Sequence, residues 1–552
     1  MGLLDPVAPP YDPLEWAKKP FAEKSRMVCR SWALQGYGTP LGVYLLYALK
    51  VGFYVAGWWF FCRFTPGQGE LGSIRSWWLS TEAFQKAILW SMLFEVLGLG
   101  CGSGPLTGRY FPPLGGFLYF LRPGTTKLPL FPGLPLLGGS RRTWLDAALY
   151  ALALAAMVRT LIAPALSVPL IIPVVALIAV LGVTDKTLFL AARAEHYWTT
   201  AVVFLLCSGP EASGSLTFVP GAKAVQAALW FWAGFSKLNH HFPNVVCVMM
   251  SNSPFTRFEW LRKRMYRSYP DDLAPSRLAV IAHGGIALEM LVPVLLIAGS
   301  GGLLTLTGLA LMFFLHLYIT SNVPMGVPIE WNVMMVYGAF FLFWKHAGAS
   351  LLSLPMPALL FLALMLVVIP IYGNLVPSRV SFLLAMRYYA GNWAYSVWLF
   401  KGESYRKLEK LTKSSAWIVD QLGILYDRST SLGIVGKVMG FRLMHLHGRA
   451  LPRLLPKAVD HLEEYEWVDG ELIAGLVLGW NFGEGHLHRE QLLRSVQEQC
   501  GFEEGELRCI FVESEPLGRS TLEYRIADAK SGLRERGHVE VSDLRNCHPW
   551  GE

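Results

Sequence analysis

Apolar runs of membrane-spanning length recur along the first two-thirds of the chain, at roughly 40–61, 83–100, 145–164, 165–184, 190–208, 222–239, 278–299, 302–320, 330–347 and 355–374. The hydrocarbon core offers no water to backbone amides, so such runs satisfy their polar groups only as helices. The expectation is a polytopic α-helical membrane protein of about ten helices, some short enough to be re-entrant, in the cell membrane. Composition agrees, with 53% hydrophobic and 16% charged residues over 552 positions. Pro164, Pro169 and Pro173 are expected to kink or split the third and fourth runs into a hairpin.

Composition also sets the boundaries. Residues 1–39 are mixed polar with no short apolar core, and read as a cytoplasmic or interfacial segment ahead of a transmembrane domain over 40–376. Residues 377–400 are aromatic and amphipathic, which suits a helix lying at the interface. Residues 401–552 read as a small soluble α+β domain, helical over 404–427 and strand-like over 472–479 and 507–512. Arg109, Arg122, Lys127, Arg141 and Arg142, then Arg257, Arg262, Lys263, Arg264 and Arg267, fall on the side of a cytoplasmic amino terminus, and an even helix count keeps the carboxy terminus there too. The net charge of +8 is spread through loops, so nucleic acid is not an expected partner. The eight cysteines form no CxxC pair, which argues against a zinc ribbon or disulfide framework.

Lys237 ends the apolar stretch 224–236. At helical spacing Gln226, Trp230, Gly234 and Lys237 share one stripe, a polar seam with a glycine-sized gap leading to the amine. Charge at membrane depth costs a few kcal/mol or more, and an apolar pocket of Trp230, Trp232 and Phe235 would favour the neutral amine, a base. The alternative is a lysine that snorkels from the helix end to the head groups. Asp185, His196, His283, Glu289, His316, Glu95 and Glu330 interrupt other runs. Asp185 and His196 share a face if one helix joins them. Singly, each of these residues pairs with a neighbour; together they imply a hydrated cavity where Lys237, His196, Glu289 and His316 meet.

The soluble region has two His-x-His pairs, His445 with His447 and His486 with His488, the latter beside Glu484. In a strand that spacing makes half a metal site, but no further ligand stands at fixed spacing, so they read as surface or interface histidines and no metal is expected. The glycines around 98–105 and 479–485 lack a phosphate-loop pattern and read as turns.

The stretch Ala233-Gly234-Phe235-Ser236-Lys237-Leu238 resembles the small-Gly-x-x-Lys-Leu segment of the horizontally transferred transmembrane domain (HTTM), vitamin K-dependent gamma-carboxylase-like superfamily. Asp185-Lys186-Thr187 with His196-Tyr197, Glu289 four residues before Pro293, and His316 stand in that superfamily's order, over about 145–345. The chain departs from it in a longer Asp-to-His spacing, in Ser236 before the lysine and in having no large lumenal domain, which argues against gamma-carboxylation of a protein. The first 140 residues and the soluble tail resemble an uncharacterised bacterial transmembrane family, which adds no activity.

The resemblance implies that Lys237 is the base that deprotonates a hydroquinone and that His196 bonds or relays a proton at the quinol oxygen. Asp185, Trp230, Gly234, His283, Glu289 and His316 would then line the cavity. It implies no tightly bound cofactor, a quinol as substrate or cosubstrate, membrane lipids as surroundings and a protein partner for the tail. Two function classes follow. One is a carboxylase- or epoxidase-like enzyme, of oxidoreductase or lyase type, acting on a lipophilic substrate. The other is a non-catalytic protein that binds or moves lipid or scaffolds a complex through its soluble domain. The first needs a neutral Lys237; the second needs only a Lys237 paired with a carboxylate such as Glu289.

Overall fold

The computed structural model describes residues 2–100, 115–208, 216–323, 328–388, 391–413 and 415–551. Gly102, Gly104, Pro105 and Arg109 lie outside the described residues. The chain is predominantly helical, and each of the ten apolar runs holds helix. Among the described residues, five helices are long and apolar enough to cross a membrane: Leu41–Cys62, Trp144–Ile162, Arg277–Ala298, Leu303–Thr320 and Met356–Leu375. The other runs carry shorter or more polar helices, among them Thr81–Val96, Val168–Thr184 and Val219–Ser236.

Local chemistry sets the breaks. Thr143 and Asp146 form a reciprocal capping box that starts Trp144–Ile162. Pro164 lies in the link that follows and Pro169 in the first turn of Val168–Thr184, so the prolines do mark a hairpin. Asp185 closes that helix and caps the next, Lys186–Ala191, by accepting the Thr187 N–H at 3.1 Å. The run 190–208 is not one helix, contrary to the shared Asp185–His196 face expected above. It breaks at Arg193, whose φ is 50°, resumes as a wide π-helical turn over Ala194–Trp198, and continues as Thr199–Leu206.

Beyond a short hairpin of β1, Tyr266–Ser268, and β2, Asp272–Pro275, one antiparallel sheet organises the carboxy-terminal part. Its strands are β3, Tyr395–Lys401; β4, Tyr465–Asp469; β5, Leu507–Val512; β6, Thr521–Asp528; and β7, Gly532–Glu540, in the order β4-β3-β5-β6-β7. The aromatic stretch read as an interfacial helix within 377–400 is therefore corrected. It ends in β3, which pairs on both sides, Val397 opposite Asp469 and Tyr395 opposite Val512. Alternation along β3 sends Trp398 and Phe400 into the core shared with the membrane bundle, and Val397 and Leu399 into a second core shared with the amino-terminal helix Phe21–Gln35. The stretch 472–479 is likewise not a strand but the buried helix Gly470–Leu478, capped by Asp469 and ended by Gly479 in the left-handed region. Among the described residues of 404–427 there are a 3₁₀ segment and the short helix Ile418–Leu422 rather than one helix.

The segment 1–39 docks rather than floats. Phe21–Gln35 packs on Arg428–Met444, where Trp32 meets Phe441 with ring centroids 5.4 Å apart. Gly440 permits the approach, since a Cβ there would stand 3.0 Å from the Val28 carbonyl oxygen.

Candidate functional site

The stripe Gln226, Trp230, Gly234 and Lys237 faces the helices that follow it in sequence. Gln226 donates to the Met335 carbonyl at 2.7 Å, and Trp230 donates its indole N–H to His316 Nε2 at 2.9 Å. Gly234 does not leave a gap: a Cβ there would come within 2.6 Å of Met290 Cγ, so the glycine lets the Arg277–Ala298 helix pack closely. Lys237 is in contact with Glu289, Nζ to Oε2, both groups nearly buried. Of the two surroundings expected for Lys237, an apolar pocket favouring the neutral amine and a pairing with a carboxylate such as Glu289, the structure has the pairing. His283, on the same helix as Glu289, has its Nε2 3.3 Å from the Asn239 carbonyl oxygen.

Two buried histidines carry their proton on opposite nitrogens, and the indoles decide which. An indole N–H only donates, so the nitrogen it meets is unprotonated. His316 Nε2 accepts from Trp230; its proton is therefore on Nδ1, which donates to Asn332 Oδ1 at 2.5 Å. His196 Nδ1 accepts from Trp331 Nε1 at 3.0 Å, which leaves Nε2–H as the donor that this imidazole can offer. Trp331 stands between the two, its ring 6.2 Å from that of His196 and 6.4 Å from that of His316. The structure thus forms two groups, Trp230–His316–Trp331–His196 and Lys237–Glu289, related by Trp230 and Lys237 lying on and at the end of one helix, with no direct contact between Lys237 and His196 among the described residues. Asp185 stands elsewhere. It ion-pairs with Arg142 and accepts the Leu128 N–H at 3.3 Å, fastening the loop before Trp144–Ile162 to the helix junction.

Sequence reasoning missed the groups behind His196. Arg193 and Glu195 are fully buried and ion-paired at 3.0 Å. The Arg193 guanidinium lies 5.0 Å from the Trp331 ring, 4.9 Å from Phe482 and 5.7 Å from Tyr388, and the Tyr388 hydroxyl donates to Glu195 at 2.9 Å. Phe482 belongs to the turn after Gly470–Leu478, so the sheet domain reaches the cluster around Arg193. A non-glycine residue in the left-handed region, followed by a π-helical turn, is a combination that concentrates at functional sites. The only sequence signal was Arg193 and Glu195 flanking an apolar run.

The His-x-His pairs are not strand-borne. His445 and His447 bond the Phe441 and Gly391 carbonyls at 2.7 and 2.9 Å, with Trp393 packed on both rings. His486 lies between Glu484 and Glu513, at 2.9 and 3.1 Å. Burial alone would lower its pKa, but the two carboxylates outweigh that and raise it to about 9. His488 Nδ1 meets Ser396 Oγ at 2.7 Å. Among the described residues no group of three or more His, Cys, Asp or Glu side chains is placed to hold a metal ion.

Residues 1–552 match the family described as transmembrane protein of unknown function (DUF3556), and the chain belongs to it. No curated protein and no solved structure matches the chain.

Proposed function

We propose that this family member binds and acts on a lipophilic molecule with an oxygen-bearing head, hydroquinone- or lipid-like, at the cluster of Lys237, Glu289 and His196. The observation that carries this reading is the fixed tautomer of His196, whose Nε2–H is the donor it can offer a ligand, in a buried network that runs through Trp331 to His316 and Trp230, the last on the helix that ends at Lys237, the partner of Glu289. A carbonyl or phenolic oxygen is the natural acceptor for that donor. The pair revises the roles expected from the carboxylase-like resemblance. With Glu289 in contact, Lys237 is held as an ammonium, and the proton acceptor is the Glu289 carboxylate. A substrate O–H would pass its proton to Glu289, and the Lys237 ammonium would stabilise the oxyanion left behind.

In this reading all ten helical runs cross the bilayer, with both termini cytoplasmic. The pattern of contacts between links supports it. Ser140 meets Glu498, Lys186 meets Gln491, His241 meets Glu515, and the Asn374 carbonyl accepts from Leu517, so links after even-numbered runs abut the sheet domain. Links after odd-numbered runs meet one another, as Thr65 with the Pro164 carbonyl at 2.8 Å and Lys223 with the Ala347 carbonyl at 2.8 Å.

A second reading, a non-catalytic lipid carrier or scaffold, is favoured by the same ion pair, which is balanced without any ligand. Lipid extraction and mass spectrometry of membranes holding equal folded amounts of wild type, Glu289→Gln and His196→Ala separate the two. A species converted by wild type alone supports the enzyme. A species retained by wild type and Glu289→Gln but lost from His196→Ala supports a carrier, and identical profiles in all three overturn the site.

A further inference from the structure

Three hydrogen-bonded junctions place one edge of the bilayer. The first membrane helix starts at Leu41, where the Gly42 N–H donates to the Leu3 carbonyl at 2.7 Å. Leu303–Thr320 ends at Ser321, whose hydroxyl meets that of Ser253 at 2.6 Å. Asn252 donates to the Asn322 carbonyl at 3.1 Å, and Thr39 reaches the Val323 carbonyl. The start of one membrane helix, the end of another and the segment after Asn252 therefore share one level.

At that level the chain exposes what a head-group region accepts. Phe255, Phe258 and Trp260 are each more than half exposed, with Phe258 and Trp260 stacked at 6.3 Å. Leu3, Leu4, Ile424 and Leu425 are equally exposed, and Tyr426 ties the last two to the first by donating to the Leu4 carbonyl at 2.8 Å. Interleaved with the aromatics, residues 254–268 carry Arg257, Arg262, Lys263, Arg264 and Arg267 against the single acid Glu259. Arg262 is spent inside, donating to the Ala33 and Leu34 carbonyls, and Arg257 donates to the Asn252 carbonyl. Lys263 and Arg264 point outward, Lys263 in an exposed ion pair with Glu259 at 2.8 Å and Arg264 lying 5.8 Å over the Trp260 ring.

We propose that the 254–268 segment is an interfacial anchor that seats Phe255, Phe258 and Trp260 among the lipids and binds the phosphate head groups of anionic phospholipid through Lys263, Arg264 and Arg267. Charge selects the occupant: aromatic anchors settle at any head-group layer, whereas a net basic rim favours a negative one. The site is independent of the Lys237 cluster.

The test uses the full chain in nanodiscs of phosphatidylcholine alone or mixed with phosphatidylglycerol, with hydrogen exchange read over 254–268 and retained lipid counted by native mass spectrometry. The expected result is slower exchange with phosphatidylglycerol present, and retention of that lipid falling on the order of ten-fold in Lys263→Gln/Arg264→Gln. Both side chains are exposed, and an unchanged thermal midpoint certifies the fold. Trp260→Ser should speed exchange in both lipids. Equal exchange and equal retention in the two nanodiscs, for wild type and double variant alike, would overturn the anionic-lipid site. Exchange as fast in nanodiscs as in detergent would overturn the anchor itself.

Discussion

The helical bundle and the interface between the amino-terminal helix and the carboxy-terminal domain both bury charge, but they neutralise it differently. In and at the ends of the bundle, the buried Lys86 and Lys223 are met by backbone carbonyls, of Phe61 and of Ala347 and Ala349, but the commoner arrangement among the described residues is a carboxylate: Lys237 with Glu289, Arg193 with Glu195, Arg142 with Asp185. Lys127 with Asp146 at 2.6 Å and Lys50 with Glu330 at 3.1 Å extend the pattern. At the second interface, buried Lys437 of Arg428–Met444 is met by neutral oxygens, Ser31 Oγ at 2.6 Å and Gln35 Oε1 at 3.1 Å. The lesson is one of cost. A buried ion with no opposite charge beside it is expensive to keep, and a lysine so placed can release its proton instead of finding a partner.

Breaking a pair in the bundle should have the largest effect. Lys237→Met strands Glu289 as a buried carboxylate and is expected to cost about 3–5 kcal/mol, read as a fall in the thermal midpoint of the detergent-solubilised chain. Lys237→Met with Glu289→Leu should recover most of that loss, because an apolar pair of similar volume fits the same space. A single variant as stable as wild type would show that the pair does not hold the bundle.

The bundle was the more legible region. Hydropathy located a helix in all ten runs, and helical spacing put Gln226, Trp230, Gly234 and Lys237 on a stripe that does meet partners. What it lacked was the identity of those partners. Whether Gly234 lines a gap or admits Met290 depends on a helix some fifty residues away. The backbone break at Arg193 is imposed by burial among Trp331, Tyr388 and Phe482, and leaves no local mark. In the sheet domain, apolar runs of six to nine residues serve equally as central strand or buried helix. Tyr395–Lys401 and Gly470–Leu478 were both misread for that reason.

His486 sharpens the comparison inside the sheet domain, where a largely buried cation does have carboxylate partners. Its pKa rises from the ordinary 6.5 to about 9, so its contribution is complete below the unfolded value and is lost as pH climbs through about 9. The chain should lose about 3 kcal/mol across that window, seen as a falling thermal midpoint. His486→Gln should begin less stable and show no such slope. A wild type whose midpoint is flat through that window would mean the carboxylates do not clamp a charged imidazole.

Lys437 carries the opposite sign and the smallest effect. Burial strips hydration from its ammonium and Arg257 adds repulsion, lowering its pKa from the ordinary 10.5 to about 7. Ser31, Gln35 and Arg257 face it, and none of them supplies a negative charge. Between those two values the undocked lysine holds a proton that the docked one lacks, so docking strengthens as pH rises. Local opening of Phe21–Gln35, followed by hydrogen exchange corrected for the intrinsic rate, should become harder by about 1 kcal/mol over the first pH unit above 7. Lys437→Met, which keeps the stem and removes the amine, should dock as tightly at neutral pH as wild type does in alkali, with no pH slope. A wild-type slope that survives in Lys437→Met would place the titrating group elsewhere, and the contrast between paired and released charge would lose its clearest instance.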